Sequence, residues 1–291
     1  MARHVRAIHG DSALTLERIL DMKLETVVIY EGPSLIDGAP IVVFAQRGSR
    51  NVKTGGMLQT FIVRADIDPM EASRTGLDRS ICGDCKHRGK PSDRDSGVAV
   101  ERSCYVTLFH APLNKYKTWK RGRYETISGH ESIKAFGKDQ LVRIGSYGDG
   151  AAVPSFIWDS LCEEAQGWTA YTHQDQNEAI KPDPARYMTS ADSLDAAARA
   201  WSKGERTFRV INDVAEVQAG KEVLCPASKE AGARTTCATC KLCAGTSIKA
   251  KSVAIVDHGP QKTRNKKAAL SMRAQNNIGD NTEAALVIAR H

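Results

Sequence analysis

Hydrophobic residues along the chain fall into short runs that are separated by turn-forming residues. Near the amino terminus, residues 12–20 have the spacing of a short helix, and residues 26–30 and 41–45 alternate as strands do. A third apolar run, residues 57–63, follows a Gly-Gly pair. These features predict a small, mainly β domain over residues 1–75.

The pattern changes after Leu141, where short apolar runs alternate with helical segments. Predicted strands lie at residues 141–145, 168–172, 186–190, 206–211, 222–224 and 252–256, with predicted helices at 154–164 and 193–203. Strands joined by crossovers favour parallel pairing. The sequence therefore predicts an α/β fold, with an open or partial (β/α) barrel over residues 141–291. Sheets of this kind bind ligands at the carboxyl ends of their strands.

Residues 76–140 separate these two regions and differ from both in composition. They are polar, basic and rich in cysteine, and residues 91–97 have the composition of an exposed loop. We interpret this part as a connecting module that its cysteines organise. The fold prediction is thus an α/β chain with a small mainly β domain at its amino terminus and cysteine-rich, metal-binding insertions.

Charge and hydropathy narrow the class of protein. The chain has 41 Lys and Arg against 34 Asp and Glu, and its net charge of +7 favours an acidic partner such as nucleic acid or a nucleotide. No segment has the roughly 18 uncharged apolar residues of a membrane span, and no apolar signal core follows the first residues. The sequence therefore predicts a cytoplasmic protein without a membrane partner.

One basic stretch is interleaved with aromatic residues. Its candidate nucleic-acid contacts are Lys115, Lys117, Trp119, Lys120, Arg121 and Arg123. Basic side chains release counterions from phosphates, and aromatic rings stack on bases, so this pattern is typical of a single-strand contact. The alternative is a solvated basic face whose aromatic rings belong to the core.

The chain has eight cysteines, and seven of them lie in two tight groups. Disulfide frameworks spread cysteines along a short secreted chain, whereas metal sites gather them in CxxC turns. The spacing therefore predicts metal binding. Cys162 stands alone in a helical segment and is interpreted as a small buried apolar residue.

The carboxyl-terminal group is the strongest motif in the sequence. It consists of Cys225, Cys237, Cys240 and Cys243, with the last three in a double CxxC arrangement. Four thiolates hold either a tetrahedral zinc ion or a [4Fe–4S] cluster, and the double CxxC favours iron. His258, at a predicted strand end, is an alternative zinc ligand.

The first group has only three cysteines, Cys82, Cys85 and Cys104. One coordination position stays open unless His87 or His110 fills it. An open position is where a metal performs chemistry, whereas a filled one makes a structural Cys3His zinc site. Both readings stand at this point.

A glycine-rich turn with a carboxylate follows the strand at residues 141–145. Gly145 and Gly148 permit a ligand to approach the backbone, and Asp149 lies at the carboxyl edge of the sheet. His173 and Asp192 occupy equivalent edges of later strands. Asp149, His173 and Asp192 are therefore the candidate catalytic residues, although both aspartates also suit helix caps.

Several of these pieces resemble the gene product eighty-eight-like proteins of phages. They are the turn at residues 51–55, the CxxC followed by Cys104-Tyr105, the Gly148-Asp149 and Tyr171-Thr172-His173 strand ends, and the closing cysteines with Asp257-His258-Gly259. The resemblance covers roughly residues 50–260. It implies a phage or prophage origin, and hence the cytoplasm of the host cell, but no established activity.

The order of the motifs is also similar to that of radical S-adenosylmethionine enzymes. Those enzymes place a three-cysteine [4Fe–4S] site before a glycine-rich acidic strand end, and often add a cysteine-rich extension. This similarity implies that Gly145, Gly148, Asp149 and Tyr105 contact the cofactor. The first three cysteines here spread over 23 positions, whereas that superfamily usually has CxxxCxxC.

Three functions follow from these patterns. The first is a radical S-adenosylmethionine-like enzyme that modifies nucleic acid or a nucleotide and carries an auxiliary cluster at the last four cysteines. The second is a zinc-stabilised single-strand nucleic-acid-binding protein of phage replication or regulation. The third is a zinc-containing base transglycosylase with Asp149 as nucleophile or base.

Overall fold

The computed structural model describes residues 25–49 and 51–257. The helix predicted at residues 12–20 and the candidate ligand His258 lie outside this part of the chain. Within it the fold is α/β with two sheets, which confirms the predicted class. None of the helices in the described part has the length and apolar character that a membrane crossing requires.

The secondary structure of the described residues comprises eleven strands and seven α-helices. The strands are β1 Thr26–Pro33, β2 Pro40–Gln46, β3 Leu58–Arg64, β4 Glu125–Thr126, β5 Leu141–Tyr147, β6 Gly167–Thr169, β7 Tyr171–Thr172, β8 Met188–Ala191, β9 Thr207–Ile211, β10 Glu222–Leu224 and β11 Ser252–Val256. The helices are α1 Pro69–Thr75, α2 Arg79–Cys82, α3 Ala111–Lys120, α4 His130–Gly137, α5 Ser155–Cys162, α6 Leu194–Ser202 and α7 Cys237–Cys240.

The first sheet has six strands in the order β4-β1-β2-β3-β5-β6. β1, β2 and β3 pair antiparallel, whereas β3, β5 and β6 pair parallel. All seven residues of β3 are buried, as expected of a central strand that is covered on both faces. The strands predicted at residues 26–30, 41–45, 57–63 and 141–145 are confirmed, whereas the one predicted at 168–172 is divided between β6 and β7.

The second sheet has five strands in the order β10-β11-β9-β8-β7, and all of its pairs are parallel. It continues from the first sheet, because only Ala170 separates β6 from β7. The Ala170 carbonyl accepts the N–H of Met188 at 3.0 Å, and the Ala170 N–H donates to the Cys243 carbonyl at 3.0 Å. The parallel strands of both sheets therefore run in the same direction. Neither sheet closes into a barrel within the described residues.

The main core lies between the first sheet and helices α4 and α5. Phe136, Trp158 and Leu161 are 0% exposed there, and each such side chain contributes about 1.5–3 kcal/mol through its burial. The Trp158 indole N–H also donates to the Gly150 carbonyl at 2.8 Å. The core thus fixes the glycine-rich turn that follows β5.

The middle of the chain contains more helix than the sequence indicated. Helices α3 and α4 lie in residues 76–140, where only a cysteine-organised module and an exposed loop were predicted. The loop at residues 91–97 is largely exposed, as predicted. α3 starts with Pro112 in its first turn, where the missing N–H costs nothing. The division of the chain at residues 75 and 140 stays a prediction.

Candidate metal centres around a shared cavity

One cavity of about 340 Å³ brings both cysteine groups together. Its walls include seven of the eight cysteines: Cys82, Cys85, Cys104, Cys225, Cys237, Cys240 and Cys243. Further residues that the sequence singled out also line it, namely Tyr105, Gly145, Gly148, Asp149, His173 and Asp192. The sequence did not establish that the two groups meet. Only Cys162, on α5, lies away from this cavity.

The first cysteine group is built around the end of α2. Cys82 is the last residue of that helix, and Gly83 follows with a φ of 55°. A Cβ on Gly83 would lie 1.9 Å from Nε2 of Gln174, so glycine is required between the two cysteines. Cys104 returns to this turn because its N–H donates to the His87 carbonyl at 2.9 Å.

The thiols of this first group are sheltered from water. Burial raises the pKa of Cys82 well above its usual range, and the nearby Asp78, Cys85 and Cys104 raise it further. Burial also raises the pKa of Cys104. Buried thiolates are unfavourable without a cation, so a metal is the partner that would stabilise them.

The carboxyl-terminal group is attached to the turn at residues 51–55. The N–H of Cys237 donates to the Lys53 carbonyl at 3.0 Å, and the N–H of Ala238 donates to the Thr54 carbonyl at 3.1 Å. Burial raises the pKa of the Cys243 thiol to about 12. The turn supports α7 and also contributes Lys53 and Thr54 to the cavity.

Arg143 lies beside the carboxyl-terminal cysteine group. It donates to the Tyr105 hydroxyl at 2.7 Å, and its guanidinium carbon is 5.8 Å from the Tyr171 ring centroid. Burial alone would lower the Arg143 pKa, but the tyrosines and the sulfurs of the carboxyl-terminal group raise it. The guanidinium therefore stays charged beside this group. The sequence analysis did not identify Arg143 as a site residue. The signal that could have identified it is a cation within the mostly apolar strand β5.

Asp149 joins the ends of two strands. Its Oδ2 accepts the Thr172 hydroxyl at 3.1 Å and the His173 N–H at 2.8 Å, while Oδ1 accepts the Ala151 N–H at 3.0 Å. Burial raises its pKa, although these hydrogen bonds oppose the rise. Both carboxylate oxygens are thus engaged in holding the backbone. This geometry suits a positioning residue.

His87, His173 and Asp192 form a compact group on the wall of the cavity. Their ligand atoms all lie within 4.8 Å of one another. Burial lowers the pKa of His87. Burial would also lower the pKa of His173, but Asp192 and Cys85 raise it well above its usual range. His87 faces Asp192. His110, the other histidine considered for the first cysteine group, is not among the residues that line the cavity.

Four buried polar atoms at or beside the cavity have no hydrogen-bond partner. They are Ser146 Oγ, Tyr147 OH, Thr169 Oγ1 and Gln174 Nε2, and the first three belong to cavity-lining residues. An unsatisfied buried polar atom costs about 1–3 kcal/mol. The sequence did not identify these residues, because short polar side chains inside strands carry no distinctive spacing.

The basic stretch predicted to bind nucleic acid is only partly on the surface. Lys115 is 5% exposed and its Nζ lies 4.8 Å from the Phe61 ring centroid, so its burial removes it from any surface contact. Trp119 packs against Phe44 at 6.3 Å between ring centroids. The exposed cations are Lys117, Lys120, Arg121 and Arg123. None of the six predicted contacts is among the residues that line the cavity.

Comparison with known proteins adds no relative. No protein family, no curated protein and no solved structure matches this chain. The function is therefore inferred from the cavity and its residues.

Proposed function

We propose that the chain is a phage-type, metal-dependent enzyme that modifies nucleic acid or a nucleotide. Cys82, Cys85 and Cys104 hold an iron–sulfur cluster, and S-adenosylmethionine binds beside it. When bound, such a cluster would supply one electron, taken from an external reductant, for cleavage of the sulfonium of S-adenosylmethionine into methionine and an adenosyl radical, and the substrate would give that radical a hydrogen atom. The observation that carries the proposal is the cavity that seven cysteines share.

The position of the cavity in the fold supports this function. The first cysteine group follows β3, and the glycine-rich turn follows β5, the parallel neighbour of β3. Both lie in an open (β/α) barrel. Its parallel strands follow one another in the order β3, β5, β6, β7, β8, β9, β11 and β10, with β6 continuing into β7. Ligands bind at the carboxyl ends of such strands. The wide spacing of Cys104 is compatible with one site, because its hydrogen bond to His87 closes the loop.

The residues in the cavity fit the proposed ligands. Three cysteines leave one metal position open for a cofactor. The volume of about 340 Å³ lies in the range of small-molecule sites, about 300–1,000 Å³.

The four carboxyl-terminal cysteines hold the auxiliary cluster in the same proposal.

Two side chains position the proposed site. Asp149 ties the end of β5 to the end of β7, and its own N–H donates to the Ile81 carbonyl at 2.6 Å, next to Cys82. Arg143 contributes a positive charge beside the carboxyl-terminal cysteine group. Both oxygens of Asp149 are engaged in hydrogen bonds, so its geometry does not favour the nucleophile of a base transglycosylase.

The test is cleavage of S-adenosylmethionine by anaerobically reconstituted protein with a one-electron reductant. We expect 5′-deoxyadenosine and methionine from wild type, and none from Cys104→Ser. Cys162→Ala is the matched control, since Cys162 does not line the cavity, and it should retain cleavage. A protein with iron and sulfide bound but without this cleavage would contradict the proposal.

A second candidate is a zinc-stabilised single-strand nucleic-acid-binding protein. The observation that favours it is the exposure of Lys117, Lys120, Arg121 and Arg123 at one end of α3 and just beyond it. Exposed cations in this density neutralise phosphates. Both cysteine groups would then be structural zinc sites.

A further inference from the structure

His87, His173 and Asp192 converge at one point of the cavity wall, beside Cys85. Nε2 of His87 lies 3.8 Å from Asp192 Oδ1, and Nε2 of His173 lies 3.5 Å from the same oxygen. These distances exceed the 2.7–3.2 Å of an N–H···O hydrogen bond. They are close to the roughly 3.0–3.4 Å that separates two ligands on one metal ion with bonds of about 2.1 Å.

Outer contacts hold two of the three residues in place. Nδ1 of His87 contacts the Ser103 hydroxyl at 2.8 Å, which leaves Nε2 directed toward Asp192. The His173 backbone is fixed by the hydrogen bond to Asp149. Metal-ligating histidines typically use their second nitrogen in this way.

We propose that His87, His173 and Asp192 bind one divalent metal ion, separate from the cysteine-bound centres. Two imidazoles and one carboxylate suit ions such as Fe²⁺, Mn²⁺ or Zn²⁺ and leave coordination positions open. The proposal does not depend on the iron–sulfur function, because none of the three ligands is a cysteine, even though Cys85 lies beside His173.

The site is accessible from two sides. His87 and Asp192 line both the cysteine-walled cavity and a neighbouring polar cavity of about 400 Å³. The second cavity contains Arg209, Asn212 and Gln218 on its walls. A polar substrate group or water in either cavity therefore reaches the open positions of the metal.

Substitution of Lys86 should change the metal affinity in the opposite direction from substitution of a ligand. Its ammonium lies 3.6 Å from Asp192 Oδ1 and donates to the Asp192 carbonyl at 2.6 Å. A positive charge at this distance repels a bound cation. Lys86→Ala should therefore tighten metal binding. A purely structural role of the three ligands predicts no such gain.

Titration of chelator-treated, anaerobic full-length protein with Mn²⁺ tests the site, with free Mn²⁺ followed by electron paramagnetic resonance. Mn²⁺ is the probe because it prefers nitrogen and oxygen ligands to thiolates. We expect one Mn²⁺ per chain, binding at least tenfold weaker in Asp192→Asn and His87→Gln, and tighter binding in Lys86→Ala. Glu178→Gln, an exposed carboxylate in a nearby loop, is the matched control and should bind like wild type.

Three results would overturn this site: no Mn²⁺ binding by wild type, wild-type affinity in folded Asp192→Asn, or unchanged or weaker binding in Lys86→Ala. Lys86 is 53% exposed, so its variant should fold even if a ligand variant does not. Cys104→Ser separates this site from the iron–sulfur proposal. It should keep the Mn²⁺ site while losing the first cluster.

Discussion

The backbone N–H of His173 donates to Oδ2 of Asp149 over 2.8 Å. The same carboxylate accepts the Thr172 hydroxyl and the Ala151 N–H, and the Asp149 N–H reaches the Ile81 carbonyl. One residue therefore connects the ends of β5 and β7 to the helix that carries Cys82. The cavity depends on this connection, because the candidate metal ligands lie immediately beyond it.

Asp149→Asn should destabilise the metal-free protein by about 2–4 kcal/mol. An amide nitrogen replaces one acceptor oxygen and faces a backbone N–H, which leaves a buried donor unsatisfied. Urea unfolding measures the change in the free energy of unfolding. Glu178→Gln makes the same chemical change at an exposed position and should alter it by less than about 0.5 kcal/mol. Equal stabilities of the two variants would show that the Asp149 contacts are dispensable.

Lys115 should make stability depend on pH. Burial lowers its pKa from 10.5 to about 8 in the folded protein. The unfolded chain therefore holds this proton more tightly, and the free energy of unfolding should rise by about 3 kcal/mol as the pH increases from about 8 to about 10.5. Below pH 8 the cost of burying the charge is fully present.

Comparison with Lys115→Met isolates this contribution from other titrating groups. The variant should be more stable than wild type at pH 7.5 by up to about 3 kcal/mol, and the difference should shrink as the pH approaches 10.5. Urea unfolding at several pH values provides the measurement. Lys117→Met, at the exposed neighbour, should follow wild type. A stability difference that stays constant with pH would refute the lowered pKa.

Arg143→Met should weaken metal binding at the carboxyl-terminal cysteines by about 10–100-fold. The guanidinium offsets the negative charge of the thiolates, and outer contacts of this kind typically change affinity by that amount. Competition between the protein and a chelator for Co²⁺, followed by the thiolate absorption, gives the affinity. Arg143→Lys keeps the charge and should lose less. Equal affinities of wild type and Arg143→Met would contradict this role.

Four exposed cations should set the salt dependence of any single-strand binding. They are Lys117, Lys120, Arg121 and Arg123. If each neutralises one phosphate, replacing all four by Gln should reduce the slope of log K against log salt concentration by about 3. Fluorescence anisotropy with an oligothymidine measures this slope. The double variant Lys203→Gln/Lys229→Gln, at exposed sites elsewhere, should leave the slope unchanged. An unaltered slope in the fourfold variant would show that this surface does not bind the single strand.

The strands of the parallel series were predictable because each is a short apolar run that ends in glycine or small polar residues. Helix α3 was not, because its residues are mostly polar and its amphipathic pattern is weak. The basic aromatic pattern there indicated a surface, yet Lys115 is buried against Phe61. Lys115 lies on the face of α3 that packs on β3. The spacing of charged residues along the sequence does not reveal which face is buried.

The candidate site was predictable residue by residue but not as an assembly. CxxC turns and strand-end carboxylates carry local signals, so each cysteine group and Asp149 could be identified. The meeting of the two groups depends on contacts between distant segments, such as the hydrogen bonds from Cys237 to Lys53 and from Ala170 to Cys243. The pairing of His87 with Asp192 is of the same kind.

The central claim is an iron–sulfur enzyme built around the shared cavity. The most direct test is to purify the protein without oxygen and to measure its iron, labile sulfide and zinc together with its visible spectrum. The account predicts iron with sulfide and broad absorbance near 400 nm, both reduced in Cys104→Ser and retained in Cys162→Ala. A colourless protein that contains zinc and no sulfide would contradict it.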